Sequence, residues 1–203
     1  GGFDAVTVNN VLKGSGLSSS ASFEVLVGTV LNYLYNDGSI SAVEIAQIAK
    51  YAENVFFGKP CGLMDQMACS VGSFVEIDFA DPLKPVITPV DFDFASCGHA
   101  LCIVDTRADH ADLTDEYAAI RSEMEAVAGF FGKKCLRDTP EQEVLDNLGA
   151  LREKLGERPV LRAIHFYEDD RRVEKEAAAL KKGDFETFKS LVIDSGNSSY
   201  MYN

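Results

Sequence analysis

The sequence predicts an α+β fold in which strands and helices share the first half and helices fill the second. Short runs with β-branched residues at alternate positions, bounded by turn residues, indicate strands in the first half. Beyond Asp112, apolar residues recur at helical spacing over long stretches. The 203 residues are 46% hydrophobic and 25% charged, a balance typical of a globular chain that buries a core.

The first half alternates strand and helix patterns. Val6 and Val8 occupy alternate positions within residues 3–10, which predicts a strand. Ser41 and Glu44 have the spacing of a capping box, which predicts the start of a helix. The predicted elements of this half, after the first strand, are helices over 18–35 and 41–57, two helical turns from about residue 63, and strands over 73–79, 85–92 and 99–106.

The second half contains four amphipathic helix patterns. They cover 114–131, 140–155, 160–182 and 184–194, with glycine or proline between them. The change from mixed to helical patterns predicts a domain boundary near residue 96. Residues 1–96 would complete one domain, and residues 97–203 would begin a second.

Charge and cysteine content exclude several classes of function. The 32 acidic and 19 basic residues give a net charge of −13, which opposes binding to nucleic acid or anionic lipid. No apolar run reaches the roughly 20 residues of a membrane span. The five cysteines never form a CxxC pair, which favours free thiols in a reducing compartment. We therefore expect a soluble cytoplasmic protein without a nucleic-acid or membrane partner; the oligomeric state is not predicted.

The stretch KGSGLSSSA, residues 13–21, precedes the first helix. Gly14 and Gly16 permit positive φ and a close backbone approach to a ligand, and a helix N-terminus attracts anions. It is not a Walker A loop, because Leu17 follows the last glycine. The pattern fits either a phosphate-binding loop or a flexible turn with a serine N-cap. Three successive serines favour the first, since one serine suffices for a cap and all three are poor helix formers.

Three later segments accompany this loop in the chain. They are AENVFFGKPCGLMDQMACSVG at 52–72, DTRADHADLTDEYAAIRSEME at 105–125 and RAIHFYEDDRRVEKEAAALKKGDFETFKSLVIDSG at 162–196. With KGSGLSSSASFEV at 13–25, they resemble motifs of the GHMP kinases, most closely the galactokinase branch, in the family's order and over essentially the whole chain. The resemblance implies a partial two-domain GHMP kinase fold, a mixed sheet with packed helices followed by the mainly helical start of the second domain.

The resemblance also implies a reaction and the residues that carry it. The reaction is transfer of the γ-phosphoryl group of ATP to the anomeric hydroxyl of galactose, with Mg²⁺ as the metal. Ser20 and Glu53 correspond to the Mg²⁺ ligands, Asp65 to the catalytic base, and Gly62 and Tyr117, with Asp65, to residues at the sugar. The residues that correspond to the ATP-binding loop are Gly14, Ser15, Gly16, Leu17, Ser18, Ser19 and Ser20.

Without the resemblance, each of these positions has a structural interpretation. Glu53 would be a solvated helix residue, and Asp65 would be a favourable charge at a helix N-terminus. Gly62 would be a loop glycine, and Tyr117 would be a core or boundary residue.

The chain also departs from the family pattern. The upstream sugar-recognition segment and the downstream glycine-rich third motif are absent, so we expect the middle of a longer kinase, inactive as these residues alone. Galactokinases usually have Asn-Ser-Asn at residues 105–107 and Ser-His at residues 195–196, where this chain has Asp-Thr-Arg and Ser-Gly. These differences leave open another sugar substrate, or a catalytically silent sensor of sugar and nucleotide.

Overall fold

The computed structural model describes residues 1–11, 16–59, 61–104 and 114–203. These residues form two compact units. The first comprises Gly1–Ser73 with residues 102–104, and the second comprises Phe74–Leu101 with residues 114–203. The domain boundary expected near residue 96 stays a prediction.

The first unit contains three α-helices, in agreement with the sequence patterns. They are α1 (Ser19–Tyr35), α2 (Ala42–Tyr51) and α3 (Met64–Val71). A π-helical turn, Ala52–Phe56, continues α2. The predicted capping box is confirmed, because the Glu44 backbone N–H donates to Ser41 Oγ at 3.3 Å and the Ser41 backbone N–H donates to Glu44 Oε2 at 2.9 Å.

The connection between α1 and α2 is fixed by a buried asparagine. Asn32 Nδ2 donates to the Ile40 carbonyl oxygen at 2.9 Å, and the Ile40 N–H donates to Asn32 Oδ1 at 3.1 Å. These paired bonds satisfy the amide of a side chain that is only 4% exposed. Ile40 then packs against Val25, Ile45 and Ala49, which form a small apolar core between the two helices.

Two predicted strands are wrong. Residues 3–10 form no regular structure, and the side chains of Val6 and Val8 are 97% and 89% exposed. Residues 99–104 also form no strand, and residues 105 and 106 lie outside the described residues. The physical reason is the same in both cases: an alternating pattern suits a strand, but the strand exists only when a partner supplies its ladder hydrogen bonds. The sheet found among the described residues has two strands, and neither segment belongs to it.

The other two predicted strands form an antiparallel hairpin in the second unit. They are β1 (Phe74–Asp78) and β2 (Val86–Val90), and Phe74 lies opposite Val90 in their register. In the turn between them, the Leu83 N–H donates to Asp81 Oδ1 at 2.9 Å. This Asx turn is a local interaction within the connection between the two strands.

Five α-helices follow in the second unit, and none of the helices in the described ranges is long and apolar enough to span a membrane. They are α4 (Thr114–Phe130), α5 (Glu141–Asp146), α6 (Leu148–Leu155), α7 (Glu157–Lys181) and α8 (Phe185–Tyr202).

Three of the predicted helices differ from those observed. The predicted helix over 140–155 is two helices, because Asn147 leaves helical geometry and its Nδ2 donates to the Glu143 carbonyl oxygen at 2.8 Å. Helix α7 begins before Pro159, since a proline in the first turn loses no intrahelical hydrogen bond. Helix α8 continues through Gly196 to Tyr202, beyond the predicted end at 194.

The core of the second unit lies among α4, α5, α6 and α7. Tyr167 belongs to this core and is 9% exposed. Its hydroxyl oxygen lies 3.1 Å from the Leu136 carbonyl oxygen and 2.9 Å from the Thr139 carbonyl oxygen. Burial raises the pKa of Tyr167 to about 12. The buried residues of this core are Val127, Ala128, Leu136, Val144, Leu151, Val160, Ala163 and Tyr167.

We expect Leu151→Ala to lower the free energy of unfolding by about 2–5 kcal/mol, because it leaves a cavity at a side chain that is fully buried. Leu145→Ala is the matched control, since Leu145 is 38% exposed on the adjacent helix α5. Urea denaturation measures both changes. Equal losses for the two variants would contradict the assignment of Leu151 to the core.

Candidate functional site

The start of α1 has an unusual backbone conformation. Ser18 precedes the helix with φ 57° and ψ 46°, the left-handed region that few residues other than glycine adopt. Gly16, two residues earlier, also has a positive φ of 75°. Strain of this kind persists only where the surroundings hold it, and it is frequent at ligand sites. Gly14 and Ser15 lie outside the described residues, so their predicted part in the loop stays a prediction.

The side chain of Ser18 does not cap the helix. It donates instead to the catalytic-base candidate, with Ser18 Oγ 2.7 Å from Asp65 Oδ2. Helix α1 therefore begins without a side-chain cap and without an acidic residue in its first turn. This is the arrangement that leaves backbone N–H groups and the positive end of the helix dipole for an anion.

Asp65 lies in the first turn of α3 and is exposed. Its carboxylate is accessible from solvent and is not enclosed by apolar side chains. Gly62, three residues earlier, borders open space, since a Cβ built at this position would meet nothing within 4 Å. The structure thus places the predicted base beside the serine loop, and there is room for a ligand next to Gly62.

Glu53 lies in the π-helical turn that follows α2, and it is only 3% exposed. Turns of this kind are frequent at functional sites. Glu53 Oε1 accepts hydrogen bonds from Ser20 Oγ at 3.0 Å and from Lys59 Nζ at 2.6 Å, and Oε2 accepts one from Gln66 Nε2 at 2.8 Å. The interpretation of Glu53 as a solvated helix residue is therefore wrong.

The electrostatics of Glu53 keep it ionised. Burial raises its pKa, but the hydrogen bonds from Lys59 and Ser20 lower it, and the pKa lies below its ordinary value. A carboxyl with a lowered folded-state pKa stabilises the fold above its unfolded-state pKa. That stabilisation is lost as the pH falls through the lower, folded-state value.

A second glutamate, Glu24 on α1, lies near this carboxylate. Burial and the charge of Glu53 raise the pKa of Glu24. Its Oε2 atom is buried and has no hydrogen-bond partner among the described residues, and the same holds for Gln66 Oε1. Two buried acceptor oxygens without donors, close to an ionised carboxylate, form an environment that suits a cation.

The donor atoms at this position fit Mg²⁺. A serine hydroxyl and a carboxylate are hard oxygen ligands, and Mg²⁺ usually takes only one or two protein ligands and completes its shell with phosphate and water. No group of three or more His, Cys, Asp or Glu side chains in the described ranges is arranged to hold a metal ion.

A groove of about 600 Å³ lies beside these residues in the first unit. Its apolar walls come from α1, α2 and the residues that follow α2, and include Phe23, Val27, Leu31, Ile45 and Ile48. Ser20, Glu24, Glu53 and Lys59 also line this groove, but its exposed surface is almost entirely apolar.

Three other predicted site residues, Leu17, Ser19 and Tyr117, lie in the described part of the chain. Leu17 and Ser19 flank Ser18 at the start of α1. Tyr117 lies on α4 in the second unit and is 57% exposed. Its contact with a sugar stays a prediction.

Sequence reasoning missed three members of the site. Glu24 follows Ser20 by four residues, so helical spacing could have placed the two side chains on one face. Gln66 and Lys59 carry no comparable signal. Lys59 lies in a loop after the π-helical turn, and only the folded chain brings its ammonium group to Glu53.

Comparison with known proteins identifies the family that the chain resembles. Residues 1–73 match the family model of the GHMP kinases N terminal domain. The chain is similar to galactokinases from Streptomyces coelicolor (34% identical over 198 residues, 95% of this chain and 49% of the relative), Homo sapiens (35% over 199 residues, 97% and 48%) and Canis lupus familiaris (36% over 200 residues, 97% and 48%).

The chain spans about half the length of the curated relatives it matches. The matched half includes the serine loop, Glu53 and Asp65, which the structure brings together in the first unit. Residues 1–73 therefore match the N-terminal domain of the GHMP kinases, and the chain as a whole is similar to about half of a galactokinase.

Proposed function

We propose that the whole protein is an ATP-dependent sugar kinase that phosphorylates the anomeric hydroxyl of galactose. The observation that carries the proposal is a pair of hydrogen bonds from one serine run, Ser18 to Asp65 and Ser20 to Glu53. These bonds bring a solvent-accessible carboxylate and a buried, ionised carboxylate to the same helix start. Phosphoryl transfer needs a base for the attacking hydroxyl and a cation for the phosphates, and these two carboxylates can serve in those roles.

In this proposal Asp65 is the base. The anomeric oxygen forms a bond to the γ-phosphorus while the bond between that phosphorus and the β,γ-bridging oxygen breaks, and ADP leaves with its electron pair. The proton of the sugar hydroxyl passes to the Asp65 carboxylate. Ser18 Oγ, at 2.7 Å, fixes the orientation of that carboxylate.

Ser20 and Glu53 would hold Mg²⁺, and the start of α1 would face the phosphates of ATP. When bound, Mg²⁺ neutralises the charge on the phosphoryl oxygens. The backbone N–H groups at the start of α1, together with the loop over residues 14–20, would bind the phosphate oxygens. Because the first turn of α1 contains no acidic residue, nothing in it repels an anion.

Further parts of the proposal come from the resemblance and the relatives. Galactose as the sugar follows the name of the relatives, with Gly62 and Tyr117 as its contacts. We also propose that residues 1–96 and residues 97–203 belong to two different domains. We further propose a cytoplasmic location, which is supported by five cysteines that form no disulfide. We expect these 203 residues alone to be inactive, since the chain spans about half the length of its relatives.

We expect Asp65→Asn in the full-length protein to lower kcat for ADP formation with galactose by about 10²–10⁴-fold, because the amide cannot accept the proton. ATP binding, followed by equilibrium titration, should persist. Asp81→Asn is the matched control, since an asparagine at this exposed turn keeps the hydrogen bond to the Leu83 N–H. Full turnover by Asp65→Asn would remove Asp65 from its role.

Measuring ADP formation with a panel of sugars identifies the sugar substrate. Galactose should give the highest kcat/KM. Turnover of a different sugar would correct the substrate, and absence of turnover with every sugar, with ATP still bound, would indicate a sensor.

We expect Ser20→Ala and Glu53→Gln to raise the Mg²⁺ concentration for half-maximal activity by at least about tenfold, because each removes a hard oxygen ligand or its charge. Ser22→Ala is the control, since position 22 on α1 does not share the face of Ser20. Titration of Mg²⁺ at fixed ATP measures the effect. An unchanged Mg²⁺ requirement in both variants would rule out this pair as the metal site.

A further inference from the structure

Lys59 occupies the position at which the proposed metal ion would contact Glu53. Its Nζ lies 2.6 Å from Glu53 Oε1, the oxygen that also accepts the hydroxyl of Ser20 at 3.0 Å. The Lys59 side chain is 62% exposed, and the side chain of Glu53 is 4% exposed. An exposed ammonium group on a flexible stem therefore neutralises an almost fully buried carboxylate.

Two physical arguments make this contact incompatible with a metal ion on the same oxygen. A carboxylate oxygen offers about two lone-pair sites, and Ser20 and Lys59 use both on Oε1. An ammonium group at hydrogen-bonding distance from Oε1 would also repel a divalent cation bound there. The ion can reach Oε1 only if the ammonium group leaves.

We propose that Lys59 is the resident counter-ion of Glu53, which the metal ion displaces, so that Lys59 sets the affinity of the site for divalent cations. This inference rests on the proposed function for the place of the ion. Lys59 acts on the ion through Glu53, and it is therefore a positioning residue and not a catalytic one.

The surroundings of Lys59 permit this exchange. The Lys59 backbone N–H donates to the Glu53 carbonyl oxygen at 3.2 Å, so the backbone can stay in place while only the four-carbon side chain moves. The charge of Glu24 also attracts the ammonium group, and Glu24 Oε2 is a buried acceptor without a donor in the described structure. Glu24 lines the same groove as Lys59, so its charge remains available to the displaced ammonium group.

Direct binding of Mn²⁺ to the full-length protein, followed by electron paramagnetic resonance without nucleotide or sugar, tests the proposal. Lys59→Met keeps the length of the side chain and removes the charge, and we expect its Kd for Mn²⁺ to fall by about tenfold, the equivalent of one charge-assisted hydrogen bond. Lys59→Arg retains the charge and should bind Mn²⁺ as the wild type does. An equal or higher Kd in Lys59→Met would overturn the proposal.

The Glu53→Gln variant separates this proposal from the proposed function. If the wild type binds Mn²⁺ and Glu53→Gln does not, the metal site stands, and Lys59→Met decides the role of Lys59 alone. If Glu53→Gln binds Mn²⁺ as tightly as the wild type, both the proposed metal site and the proposed role of Lys59 are contradicted.

Urea denaturation without metal gives a second measurement that does not depend on binding. Lys59→Met should lower the midpoint, because it leaves a buried carboxylate without its counter-charge. The same substitution in a Glu53→Gln background should leave the midpoint unchanged. Equal decreases in the two backgrounds would show that Lys59 does not act through Glu53 and would contradict the proposal.

Discussion

The first unit depends on keeping one buried carboxylate neutralised. Glu53 receives hydrogen bonds from Ser20 on α1, Lys59 in the following loop and Gln66 on α3, so a single charge joins three segments of the chain. An unpaired carboxylate at 3% exposure would be strongly destabilising. The partners of Glu53 are therefore as much a part of the fold as the small apolar core between α1 and α2.

The same constraint explains how structure and chemistry share residues in this unit. Ser20 and Glu53 stabilise the packing of α1 on the π-helical turn, and together they offer the hard oxygens that suit Mg²⁺. Ser18 is held in a left-handed conformation, and its hydroxyl binds Asp65 in place of the helix backbone. At a helix start with only a structural role, the serine hydroxyl would cap the helix backbone, whereas here it donates to a carboxylate of the site.

Predictions from sequence were confirmed where the interactions are local. The capping box at Ser41 depends on groups three residues apart, and it is confirmed. Predictions failed where a distant partner was needed, as for the strand over 3–10, whose alternating valines have no pairing segment in the described structure. The predicted helix over 140–155 is divided at Asn147 for a different reason, because a local side-chain hydrogen bond competes with the helical backbone hydrogen bonds.

By itself, the sequence determined the glycine–serine motif, the start of α2 at its capping box and the family motifs, since backbone preference and residue spacing are properties of neighbouring residues. Only the tertiary structure decided that Glu53 is buried and that the Ser18 hydroxyl donates to a carboxylate 47 residues away. It also decided that the Lys59 ammonium group contacts the Glu53 oxygen that we propose binds the metal ion. The physical reason is that burial and charge pairing depend on which atoms folding brings together, and the spacing of residues along the chain does not specify them.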